Sequence, residues 1–83
     1  MDGKREVKQE IIRVIYKYRS EYYKHQERLK HCRQRAKLLA KVGNAEQAEA
    51  YTVDIQTVKK IADFLQGEIR ILSQFLDGID RAA

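Results

Sequence analysis

From Ala48 to Ile79 the apolar residues recur in alternating steps of three and four: Ala48, Tyr51, Ile55, Val58, Ala62, Leu65, Ile69, Leu72, Leu76 and Ile79. Steps of that kind hold one stripe on one side of a helix and form the seam of a coiled coil, whereas a half-buried strand needs strict alternation. The first half carries a second stripe: Val7, Ile11, Val14, Tyr18, Tyr22, His25, Leu29, Cys32, Ala36 and Leu39. Its rhythm breaks once, where two four-residue steps follow each other at Val14, Tyr18 and Tyr22. The pattern therefore predicts an all-α fold, an antiparallel hairpin of two long amphipathic helices. We place the helices at about 5–41 and about 45–79, the turn at 42–44, and a single domain over 1–83, with fraying expected before about Arg5 and after about Asp80.

The turn follows from Lys41-Val42-Gly43-Asn44, the only strong breaker between the stripes. Gly43 can take the left-handed conformation that closes a helix, Asn44 can cap the next one, and Gln47, three residues on, completes a capping-box arrangement. So short a connection makes the helices antiparallel neighbours. In an antiparallel pair, residues at equal height have numbers with a constant sum. Leu39 with Ala48, Ala36 with Tyr51, Cys32 with Ile55, Leu29 with Val58, His25 with Ala62, Tyr22 with Leu65 and Tyr18 with Ile69 all sum to 87. Beyond Tyr18 the agreement slips by one, which predicts a stutter with local over- or under-winding. The Gly43-Asn44 turn followed by Ala45, Ala48 and Ala50 resembles that of tetratricopeptide repeats, but there is no second copy and the helices exceed such a repeat.

One seam does not use all the apolar residues. Ile61, Phe64, Ile71 and Phe75 lie beside it on the second helix, and Ile12, Ile15, Tyr16 and Tyr23 beside it on the first. Exposed on a lone hairpin they would form patches of the kind that mark interaction sites. A chain of 83 residues also buries little surface on its own. We therefore expect a homodimer of hairpins forming a four-helix bundle, with Ile12, Tyr16, Tyr23, Ile61, Phe64, Gly67, Glu68, Ile71 and Phe75 as the oligomer or partner interface. Gly67 and Gly78 fall on the face of Phe64, Ile71 and Phe75, either as sites of close backbone approach or as tolerated helix weaknesses. Glu68 interrupts that face, as a rim carboxylate or as one half of an ion pair across the dimer.

Charge is uneven along the chain. Through Lys41 there are 13 Lys and Arg against 5 Asp and Glu, and from Val42 onward 4 against 7, for a net +5. The basic first helix offers Lys17, Lys24, Arg28, Lys30, His31, Arg33, Arg35 and Lys37 as contacts to a phosphate backbone. Alternatively, such a face merely solvates a rod, with aliphatic stems covering the seam's flanks. In the proposed register Asp54 comes within reach of Arg35 or Arg28.

Chemistry is not indicated. His25, His31 and Cys32 do not have zinc-site spacing, and two helical turns separate Cys32 from His25, too far for a nucleophile pair. No glycine-rich phosphate loop, Gly-x-Ser-x-Gly or converging carboxylate pair occurs. A close-packed bundle of this size also has little room for a substrate. No stretch is apolar enough for a signal peptide or a membrane span, and a lone cysteine suits a reducing compartment. The reading is a non-enzymatic, cofactor-free, cytoplasmic interaction or regulatory module. It forms a homo-oligomer and binds another protein, with a basic nucleic-acid-binding regulator as the alternative.

Overall fold

The computed structural model describes residues 2–82. They form α1 (Asp2–Lys41) and α2 (Ala45–Arg81), which pack against each other as an antiparallel hairpin. The Cα trace measures 63 × 14 × 13 Å, close to the ~60 Å that forty residues span at about 1.5 Å each. The helices run beyond the expected limits, to Asp2 and Arg81, and they still meet near the open end, where Lys8 makes an ion pair with Asp80.

The turn is built as a Schellman motif. Gly43 sits at φ 82°, which a residue with a Cβ adopts only at a cost. Its N–H donates to the Ala40 carbonyl at 3.2 Å, and the Asn44 N–H donates to Leu39 at 2.9 Å. Asn44 then caps α2, its Oδ1 accepting from the Gln47 N–H at 3.3 Å, while its carbonyl takes the Ala48 N–H at 3.1 Å. Only half of the expected capping box forms. The Asn44 N–H that Gln47 would have satisfied is already committed to Leu39, so the exit from α1 uses the donor that the entry to α2 would need.

The core is a single line of side chains. Ile15, Leu29 and Cys32 of α1 and Val58, Ala62 and Leu65 of α2 are buried, and the other seam residues are half-buried. The expected stutter does not occur. Ile15 is buried at 7% exposure, whereas Val14 is only half-buried and Val7 is 49% exposed. The α1 seam therefore runs Lys8, Ile11, Ile15, Tyr18, Tyr22, an unbroken three-four series, and α1 is helical throughout. With those residues the sum of 87 holds to the end, pairing Ile15 with Leu72, Ile11 with Leu76 and Lys8 with Ile79. The break came from demanding an apolar residue at every seam position. At position 8 the stem of a lysine fills the site while its ammonium reaches Asp80.

One seam leaves much of the molecule wet. The accessible surface is 6720 Å², against about 5,200 Å² for a compact monomer of 9.8 kDa.

Candidate interaction surfaces

The two sides of the seam differ in chemistry. On one flank Val7 of α1 meets Phe75 and Ile79 of α2. The three-four spacing continues this flank along α2 through Phe64 and Ile61. On the opposite flank Ile12, Tyr16 and Arg19 line a cleft with Ser73 and Asp77. The nine candidate oligomer or partner residues fall on both flanks. Ile61, Phe64, Glu68, Ile71 and Phe75 lie on the first flank with Gly67 at its outer edge, and Ile12, Tyr16 and Tyr23 lie on the second. Ile15, expected beside the seam, is inside it. Phe64, Ile71 and Phe75 are exposed at 64%, 59% and 60%, so the first flank is the more continuous apolar face. On the second, Tyr23 packs edge-on against Tyr22 with ring centroids 6.0 Å apart, and Ile12 is half-buried.

Gly78 continues the first flank, and Gly67 lies beside it, one residue before Glu68. A Cβ built on either meets nothing within 4 Å, so no contact inside the hairpin requires glycine there. Each nevertheless weakens the helix by up to about 1 kcal/mol relative to alanine. Glu68 is half-buried, and the ion pairs among the described residues do not include it.

All eight candidate phosphate-contacting residues are exposed. They too divide between flanks. Lys30, Arg33 and Lys37 rim an open groove of about 870 Å³ near the turn, floored by Ala36, Ala40, Ala48 and Ile55. The spacing places Lys17, Lys24, Arg28, His31 and Arg35 on the other side. Sequence reasoning missed this groove, although its signal was present: the alanines at 36, 40 and 48 leave a shallow channel between the two backbones. The ion pairs among the described residues are Lys8 with Asp80, Arg13 with Glu10 and Lys24 with Glu21. The expected pairing of Asp54 with Arg28 or Arg35 is not among them, and Asp54 is exposed. Of the eight basic residues, Lys24 alone has a carboxylate within 4 Å among the described residues.

His25 and Cys32 both lie in the seam. His25 Nδ1 lies 2.7 Å from the Glu21 carbonyl, one turn back on its own helix, and Cys32 is a buried free thiol in the seam. Among the described residues no group of three His, Cys, Asp or Glu side chains converges as a metal site would require. No helix among them is long and apolar enough to cross a membrane.

Fold and surface together define a helical hairpin with an apolar flank toward its open end and a basic half toward its turn. Compared with known proteins, the chain matches no family model, no curated protein and no solved structure.

Proposed function

We propose that the chain is a non-enzymatic interaction module. It self-associates into a coiled-coil-type bundle of hairpins and presents its turn-proximal half to a protein partner. The observation that carries this reading is the apolar flank of α2. Phe64, Ile71 and Phe75 stand exposed in one three-four series, and contiguous exposed aromatic and aliphatic surface marks association sites. The groove rimmed by Lys30, Arg33 and Lys37 and floored by alanines suits an acidic, amphipathic helix of the partner. The buried free thiol of Cys32 fits a reducing compartment such as the cytoplasm.

Phe75→Ser tests the self-association. It should dissociate the assembly while retaining most of the helix content by circular dichroism, because Phe75 touches little of its own hairpin's core. An unchanged assembly mass would remove this flank from the interface.

One observation favours a second reading, nucleic-acid binding: Arg28, Lys30, Arg33, Arg35 and Lys37 have no carboxylate partner among the described residues. That reading requires a complex with a generic duplex or single-stranded oligonucleotide that weakens steeply with salt. Arg28→Glu with Arg35→Glu should then reduce its affinity, and an unchanged affinity overturns it.

A further inference from the structure

Resting on the self-association proposed above, we infer that the second copy docks α2 against α2, antiparallel, with the two-fold axis beside Ile71. In that arrangement each Phe64 lies over the partner's Gly78, and each Phe75 over the partner's Gly67.

Ile61, Phe64, Glu68, Ile71, Phe75 and Gly78 repeat the steps of three and four one residue ahead of the buried seam, so α2 carries a second stripe along its outer flank. Reversed about Ile71, this stripe brings Phe64, Ile71 and Gly78 onto its own members, and brings Phe75 onto Gly67, which lies one residue outside it beside Glu68. Antiparallel partners related by a two-fold axis have numbers of constant sum. A sum of 142 sets Phe64 opposite Gly78, Phe75 opposite Gly67, and Ile71 opposite itself. Large therefore meets absent side chain twice, and the aliphatic residue between them sits on the axis, which is how facing layers interdigitate. The space above both glycines is open on the isolated hairpin. Exposed rings at the matching positions supply an occupant of the right size.

Area and charge agree with this register. The overlap covers residues 60–82 of each copy, a strip about 34 Å long and two helices wide. It is on the order of 700 Å² per chain, close to the about 800 Å² of a standard interface. Because the axis lies toward the open end, the turn-proximal halves project in opposite directions. Each of these has seven Lys and Arg between positions 24 and 41 against Glu27 alone, and a parallel overlay would set those like charges side by side. Centring the pair midway along α2 would instead set Phe75 at the height of Tyr51, between Glu49 and Asp54. Gly43 is 28 residues from Ile71, about 42 Å of helix, so the pair is a rod of about 85 Å with a basic arm at each end.

Disulfide trapping tests the register in full-length chain carrying Cys32→Ala, with helix content checked by circular dichroism and mass by light scattering. Ile71→Cys should cross-link to itself. Phe64→Cys and Gly78→Cys should each fail to self-link, their partners being about 21 Å apart, yet cross-link when the two proteins are mixed. A dimeric mass without the Ile71 link, or with Phe64 linked to itself, overturns this register and leaves self-association standing. A monomeric mass for the chain without added cysteines overturns both. Gly67→Val should raise the dimer dissociation constant by about tenfold or more through overpacking against the partner's Phe75. An undiminished affinity also overturns the register.

Discussion

The placement of Ile15 in the seam, where the sequence pattern alone favours Val14, has a measurable consequence. Ile15→Ala removes three carbon groups from a site that is 7% exposed, which at about 0.8 kcal/mol each predicts a loss of about 2 kcal/mol. The cavity contribution should be small. Ile15 borders the open cleft shared with Ile12, Tyr16, Ser73 and Leu76, into which water and side chains can move, so the low end of the range for such truncations applies. Val14→Ala removes two groups from a half-exposed position and should cost about 0.8 kcal/mol. For a chain of this size the first change corresponds to a fall in melting temperature of about 8–16 °C and the second to about 3–6 °C. The assay is thermal and urea unfolding followed by far-ultraviolet circular dichroism, with all proteins at one concentration because association contributes to stability. Equal losses for the two variants, or a larger loss for Val14→Ala, would mean that the seam passes through Val14 with a stutter and would refute the continuous register.

Asn44→Ala should cost about 1 kcal/mol in the same assay, since it removes the Oδ1 that accepts the Gln47 N–H. No loss would mean that the cap is dispensable. Leu65→Asp places an unpaired carboxylate in the middle of a core that has six buried side chains among the described residues, and should abolish cooperative unfolding; a folded variant would contradict the assigned core. Gly67→Ala has opposite effects in two settings. In a monomeric Phe75→Ser background it should raise stability by up to about 1 kcal/mol, because its Cβ meets nothing. In the otherwise native chain it should weaken association. A destabilised monomer would show that the glycine serves the hairpin itself.

Much of the architecture was legible because helical spacing and turn chemistry are local. The three-four series of α2 and the Gly43-Asn44 pair specify a helix, a stop and a cap without reference to anything distant. The seam residues from Leu39 to Tyr18 and their counterparts from Ala48 to Ile69 are all buried or half-buried, as pairing by constant sum requires. That pairing failed at Val14 because adjacent apolar residues, Val14 beside Ile15 and Ile11 beside Ile12, satisfy the pattern equally well. Lys8 concealed the continuation by being polar at its tip and apolar along its stem. The surfaces were less legible. A list of apolar residues outside the seam does not say on which side of a two-helix rod each falls, and Tyr16 and Tyr23 lie across the seam from Phe64 and Phe75. The groove at Ala36, Ala40 and Ala48 escaped notice because small residues signal by what they leave empty.

The most direct test of the account is the mass of the native chain by light scattering behind a sizing column, at low and at high salt. Self-association through an apolar flank predicts twice the 9.8 kDa of one chain, retained at high salt because such contacts are not screened. A mass of one chain at micromolar concentration would contradict it, leaving the exposed α2 flank without the occupant proposed for it.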